Sequence, residues 1–128
     1  MEGVIILSWL MVKHCLADYF LQTTWMINDK PNYGKPGGLF HSGEHGVLTW
    51  ITLSFFINPF LAIVYGLLDF ALHYHIDWTK SNYIRGNFRF SQSYLTQVDP
   101  QYWWAMGIDQ TLHFLTYVLI VWLLPFQT

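Results

Sequence analysis

The chain has 128 residues, of which 53% are apolar, 20% aromatic and only 11% charged, and its formal net charge is −2. A soluble domain carries about 25% charged residues, so this chain has too few charges to cover a water-exposed surface. The negative net charge also excludes a surface that follows nucleic-acid phosphates. The composition instead predicts a multi-pass membrane protein with a single membrane domain, residues 1–128.

Four apolar segments follow one another along the chain, each close to the ~20 residues that span a bilayer. Helix breakers separate them, including Asn58-Pro59 and Asp99-Pro100, where Asp99 is suited to cap the fourth helix. We therefore predict an all-α fold, an integral membrane four-helix bundle. Its helices are expected at about residues 4–26, 39–57, 60–78 and 101–124, with loops at 28–38 and 79–100.

The first segment is expected to stay in the protein as a helix. Its start, MEGVIILSWLMVKH, lacks a basic region and a small-residue cleavage site, so it does not resemble a signal peptide. Cys15 is the single cysteine and is predicted to be a small core residue. Lys13 adjoins His14 but points about 100° away on a helix, so we expect it to snorkel or to pack.

The basic residues predict the orientation of the four helices. The two predicted loops share one side of the membrane, and the other side has no Lys or Arg. By the positive-inside rule the loops are cytoplasmic, so both termini lie outside the cytoplasm, and we expect a bacterial inner-membrane location. The loop cations are Lys30, Lys35, Lys80, Arg85 and Arg89.

Every predicted helix carries two ionisable residues four positions apart. This spacing places both side chains on one helix face, about one turn apart. All four pairs also fall in the cytoplasmic half of the predicted bundle, so we expect them to meet. The pairs are His14 and Asp18, His41 and His45, His73 and Asp77, and Asp109 and His113.

A cluster of five imidazoles and three carboxylates is typical of a metal site. This ligand set suits Zn, Mn or Fe, and helical bundles build di-metal sites from facing helices in this way. Eight candidate ligands predict two ions about 3.5–4 Å apart, with Zn²⁺ favoured and Fe or Mn as alternatives. Asp18, Asp77 and Asp109 are the candidate bridges. A purely structural polar network or a path for protons or ions are the other interpretations.

Longer stretches of the sequence resemble a small bacterial and phage membrane-protein family of uncharacterised function. The matching stretches are HCLADYFLQ from His14, Lys30, His41, HYHIDWTK from His73, and DQTLH from Asp109. The family pattern is H-x3-D-F-x2-Q, K, H, H-x3-D-x2-K and D-Q-x2-H, and Tyr19 departs from it. More loosely, the layout is similar to membrane-bound metal-dependent hydrolases of bacterial inner membranes. That likeness implies hydrolysis only by analogy.

Lys80 is the basic residue most suited to a functional role. It follows Asp77 by three positions and so shares a helix face with it, and the family pattern includes it. We predict that Lys80 helps to bind an anionic substrate. The aromatic-rich loop at 79–100 is either an interfacial lid or an ordinary loop.

Glu44 lies in the motif H-x-x-E-H, formed with His41 and His45. In one class of zinc peptidases this motif supplies two ligands and a general base, but that template leaves the pairs at His73 and His113 unexplained. We predict His41 and His45 to be ligands, and Glu44 to be the general base, with a role in orienting a ligand or a position at the headgroups as alternatives.

The sequence therefore predicts a metal-dependent hydrolase that acts at the cytoplasmic face on a phosphoester or a lipid-linked anionic substrate. The alternatives are a non-haem di-iron lipid oxidase or hydroxylase, a metal or proton transporter, and a structural membrane protein with a polar network. The expected partners are the lipid bilayer and the substrate, with no nucleic acid, and oligomers of the same chain are compatible with the sequence.

Overall fold

A computed structural model describes residues 1–91 and 94–125 of the chain. Residues 92 and 93 of the predicted loop at 79–100 therefore lie outside the described residues. Within the described part the fold is all-α, and no strand is found there. The helices are α1 (Glu2–Cys15), continued by a π-helical turn (Leu16–Leu21), then α2 (Thr24–Asp29), α3 (Pro36–Ser54), α4 (Pro59–Ile84) and α5 (Pro100–Leu123).

The prediction of four helices is wrong, because the described residues form five. The predicted segment 4–26 is broken where Gln22 adopts an extended conformation (φ −67°, ψ 124°). The Gln22 side chain donates to the Asp18 carbonyl, which satisfies the end of the first helix. Thr23 then caps the short helix α2, since its Oγ1 accepts a hydrogen bond from the Met26 N–H.

Three helical segments are long and apolar enough to cross a membrane, which suggests a membrane protein. They are Glu2–Leu21, Pro59–Ile84 and Pro100–Leu123. The predicted span at 39–57 corresponds to α3, which is not among them. The sequence of α3 contains four glycines and two histidines, which lower its hydropathy.

Large apolar side chains cover the outer surface of the helices. Phe20, Phe60 and Trp122 are each at least three-quarters exposed, as expected for residues that contact lipid rather than water. Cys15 is also exposed, so the prediction that it packs in the core is wrong. It faces outward because the buried face of α1 is formed by its neighbours Lys13 and His14.

Apolar side chains fill one end of the bundle, beside the turn between α3 and α4. The largest fully buried members are Ile6, Leu10, Leu53, Tyr117 and Ile120, contributed by α1, α3 and α5. The other end of the same bundle is filled by polar side chains, described in the next subsection. The interior is therefore divided along its length into an apolar half and a polar half.

Two glycines allow α3 and α4 to cross at very short distance. A Cβ placed on Gly46 would lie 2.7 Å from the Gly66 carbonyl oxygen, and a Cβ on Gly66 would lie 2.7 Å from the Gly46 carbonyl oxygen. Small residues at helix crossings let backbones approach in membrane proteins. This crossing sits next to His45, so it sets how closely the polar faces of α3 and α4 meet.

We expect Gly46→Val to separate these helices and to destabilise the protein by about 1–3 kcal/mol, the usual cost of overpacking. The matched control is Gly43→Ala on the same helix, because a Cβ at Gly43 meets nothing within 4 Å. Thermal unfolding in detergent micelles measures both. Equal stability of the two variants would show that the close crossing does not hold the bundle together.

The segment between α1 and α3 folds back onto α4. Asp29 accepts a hydrogen bond from the Gly37 N–H (2.9 Å), and Asn82 donates to the Pro31 carbonyl (2.9 Å). The Gly34 N–H donates to the Tyr74 hydroxyl (2.6 Å). These bonds tie residues 29–37 to α3 and α4, and they bring Lys30 into the polar half of the bundle.

Candidate metal centre

Asp18 lies at the middle of the polar half, on the π-helical turn that follows α1. Its Oδ1 is 3.1 Å from Nε2 of His41, 3.1 Å from Nε2 of His45 and 3.8 Å from Nε2 of His73. The three imidazoles are fully buried. Single π-helical turns are frequent at functional sites, and this one directs a carboxylate at three histidines from two other helices.

His14 approaches Asp18 from the opposite side. Its Nε2 is 3.1 Å from Asp18 Oδ2 and 3.1 Å from Gln110 Oε1. Its Nδ1 is 2.8 Å from the Tyr117 hydroxyl. The ring is thus held at both nitrogens, which fixes its orientation in the way that outer-shell partners orient a ligating histidine.

The five imidazoles contact one another directly. The rings of His45 and His73 are stacked with centroids 3.6 Å apart, and those of His73 and His113 are stacked at 4.1 Å. Nε2 of His41 and Nε2 of His73 are 3.2 Å apart. A neutral imidazole has one donor and one acceptor nitrogen, so these two atoms face each other across a single proton or across a bound cation.

The geometry of Asp18, His41, His45 and His73 fits a divalent ion. Their ligand atoms all lie within 4.8 Å of one another, and the separations given above are 3.1 to 3.8 Å. In a tetrahedral zinc site with bonds of ~2.0–2.1 Å, neighbouring ligand atoms are about 3.3 Å apart. Three imidazoles and one carboxylate are therefore in place to hold one ion such as Zn²⁺.

Asp77, Asp109 and His113 form a second group of potential ligands. Two lysines already contact its carboxylates: Lys80 Nζ is 2.9 Å from Asp77 Oδ1 and 3.2 Å from Asp109 Oδ1, and Lys30 Nζ is 2.7 Å from Asp77 Oδ2. A second divalent ion would be repelled by both ammonium groups at short range. The geometry thus favours one ion near Asp18, and the second ion stays a prediction.

Asp18 is the one aspartate of the polar half that has no lysine within 4 Å in the described part of the chain. The other three aspartates are paired with lysine ammonium groups, while the partners of Asp18 are imidazoles and Gln110. Asp18 is consequently left without a full positive partner. The pairs are Lys13 with Asp69, Lys30 with Asp77, and Lys80 with both Asp77 and Asp109.

Lys13 is buried, so of the two predicted possibilities it packs inside the bundle and does not snorkel. Its Nζ is 2.6 Å from Asp69 Oδ2 and 3.3 Å from Nδ1 of His45. Thr49 Oγ1 also donates to Asp69 Oδ2 (2.5 Å). The sequence contains a signal for this burial, because an ionisable residue inside an apolar segment usually faces the bundle interior and pairs with another ionisable residue.

Residues 6–128 match the family profile described as "Protein of unknown function (DUF3307)". The chain belongs to the DUF3307 family. No curated protein matches the chain, and no solved structure matches it. Membership of DUF3307 supports the resemblance to an uncharacterised family, while the likeness to metal-dependent hydrolases stays a prediction.

In this DUF3307 chain, Glu44 lies behind His41 rather than beside the convergent ligand atoms. Its Oε2 is 4.0 Å from Nδ1 of His41, whereas Nε2 of the same ring faces Asp18. A carboxylate on the far nitrogen of a ligand ring is suited to orienting that ring. At 4.0 Å the two atoms do not form a hydrogen bond, so the general-base role and the orienting role of Glu44 both stay predictions.

Lys80 joins the cluster of histidines and aspartates of this DUF3307 chain to its surface. Its side chain is 14% exposed and contacts the carboxylates of Asp77 and Asp109. His75, by contrast, is exposed and bonds Tyr33 outside the cluster. All eight predicted ligands thus lie in one connected group with Lys80, and His75 lies outside it. Lys13, Lys30, Asp69, Gln110 and Tyr117 extend the group beyond the predicted ligands.

Proposed function

We propose that the protein is a membrane-embedded, metal-dependent hydrolase that acts at the cytoplasmic face on a phosphoester or lipid-linked anionic substrate. One observation carries the proposal. Asp18, His41, His45 and His73 converge at ligand spacing around one point, in a buried group where Asp18 has no lysine partner. A divalent cation would supply the missing positive charge, and three imidazoles with one carboxylate are a ligand set that suits zinc.

A zinc ion held by three of these four side chains, or by all four with a fifth position left for water, would supply a Lewis acid and a hydroxide nucleophile near neutral pH. The protein side chains provide the rest. His14 is fixed through Tyr117 and Gln110, so the imidazole shell is rigid. Lys80 keeps Asp77 and Asp109 in place and adds positive charge where an anionic substrate would approach.

The packing of the bundle favours an enzyme over a transporter. In the described part of the chain, the half away from Asp18 is filled by fully buried apolar side chains such as Ile6, Leu10 and Leu53. Ions and protons need polar groups or water along their path. A polar site that ends at an apolar barrier suits a reaction better than passage through the bundle.

The test is metal analysis of the purified protein together with hydrolysis of bis(p-nitrophenyl) phosphate. We expect about one zinc per chain and phosphodiester cleavage that chelation abolishes and added zinc restores. Bound iron with no hydrolysis would instead support the oxidase. Protein that binds no metal above the level of an Asp18→Asn variant would show that the cluster is a structural network.

A further inference from the structure

A groove runs between α4 and α5 on the outer surface of the bundle, beside the cluster of histidines and aspartates. Its volume is about 430 Å³, within the usual range for ligand sites of ~300–1,000 Å³. Leu72 and Ile76 form one wall, and Ile108 and Leu112 form the other. Ile108 is 62% exposed, so the groove opens sideways toward the lipid rather than toward the interior.

The groove has a charged end, where Lys80 and Asp109 line it. The Lys80 ammonium has three N–H groups, and it contacts two carboxylates, those of Asp77 and Asp109. One N–H is thus left for an anion that enters the groove. Lys80 is the one Lys or Arg among the described lining residues, which makes it the group that an anion would meet.

The groove is long enough to extend from the headgroup region into the apolar part of a bilayer. Lys80 and Leu72 are eight residues apart on α4, which corresponds to about 12 Å along a helix. Phe88 and Phe90 from the following loop, and Trp104 from α5, line the groove as well. Aromatic rings are enriched at headgroup depth, so the charged end lies where lipid headgroups lie.

We infer that this groove binds one hydrocarbon chain of a phospholipid and places its phosphate ester at Lys80, beside the cluster of histidines and aspartates. The inference rests on the proposed function and names its substrate class as a lipid that enters from the membrane. The apolar walls suit the chain, and Lys80 suits the phosphate.

The probe is lysophosphatidylglycerol, which has one acyl chain and one phosphodiester charge. Binding to the purified protein is measured by native mass spectrometry in detergent, with and without zinc. We expect lysophosphatidylglycerol to bind about tenfold more tightly than lysophosphatidylcholine of the same chain length. The difference in affinity between the two lipids should be larger when zinc is present. Glycerophosphoglycerol, which has the headgroup without the chain, should bind far more weakly because it buries no methylene groups.

Leu112→Trp tests the groove itself, and Leu115→Trp is the control. Leu115 is a comparably exposed leucine on α5 that does not line this groove. Filling the groove at Leu112 should weaken lysophosphatidylglycerol binding about tenfold, equivalent to about two buried methylenes. Equal binding by the two variants would overturn the groove as the chain site, whatever the metal content and hydrolysis assays show.

Lys80→Met tests the headgroup assignment on the same protein. It keeps the length of the side chain and removes the charge. We expect the preference for lysophosphatidylglycerol over lysophosphatidylcholine to disappear. An unchanged preference would overturn Lys80 as the phosphate site, and the comparison of the two lipids stays informative because both are measured on the same variant.

Discussion

Asp18→Asn should lower the affinity of the protein for zinc by about 100-fold or more. The variant keeps the shape of the side chain and removes the charge that faces His41, His45 and His73. Loss of a direct ligand should exceed the ~10–100-fold cost of losing an outer-shell partner. Competition with a fluorescent zinc chelator measures the affinity, and circular dichroism checks that the helices remain.

His75→Ala is the matched control, because His75 is the one histidine of the six outside the cluster and is exposed. It should bind zinc as the unchanged protein does. Equal zinc affinity in folded Asp18→Asn and His75→Ala would show that the convergence at Asp18 serves the structure of the bundle and not a metal ion.

Lys13→Met should lower the free energy of unfolding by about 3–5 kcal/mol, the usual cost of leaving one buried charge without its partner. Lys13 and Asp69 are each at most 6% exposed in their side chains, and their charged atoms are 2.6 Å apart. The variant removes only the cation, so Asp69 keeps a single hydrogen bond, from Thr49. Denaturant-dependent unfolding in detergent measures the change.

The double variant Lys13→Met/Asp69→Leu separates the ion pair from the packing of its side chains. Replacing both charges by apolar groups of similar size is often neutral or stabilising. We therefore expect the double variant to recover most of the stability lost in Lys13→Met. A double variant that is as unstable as the single one would mean that Lys13 acts through its contacts with His45 instead.

The sequence predicted the composition of the cluster because helical spacing alone defines a face. His73 and Asp77 are separated by four residues, so any helix that contains them presents both together. The same holds for Asp109 and His113. Once three or four apolar helices pack with their polar faces inward, these side chains have to meet.

Two features of the fold could not be predicted from spacing. The π-helical turn at Leu16–Leu21 is a local change of register with no distinctive composition, yet it determines where Asp18 points. The break after it falls in the short polar stretch Gln22-Thr23-Thr24, and because apolar Trp25 and Met26 follow directly, hydropathy predicted one continuous helix. Gln22 followed by Thr23, which caps α2, is the sequence feature that could have predicted the break.

The pairing of charges also escaped prediction, because it depends on contacts between distant segments. Lys13 and Asp69 are 56 residues apart, and Lys30 and Asp77 are 47 apart. A sequence shows that each charge needs a partner but not which partner it finds. That choice decides the expected number of ions, since Lys30 and Lys80 contact the carboxylates of the second group.

The order in which the four site-bearing helices are synthesised has a consequence for assembly. Asp18 is on the first of them, whereas His41, His45 and His73 follow on α3 and α4. During translation Asp18 is therefore made first, and His73 follows only after more than half of the chain has been made. On the proposed function, metal loading thus belongs to the end of biogenesis, because the four proposed ligands meet only after α4 has been made.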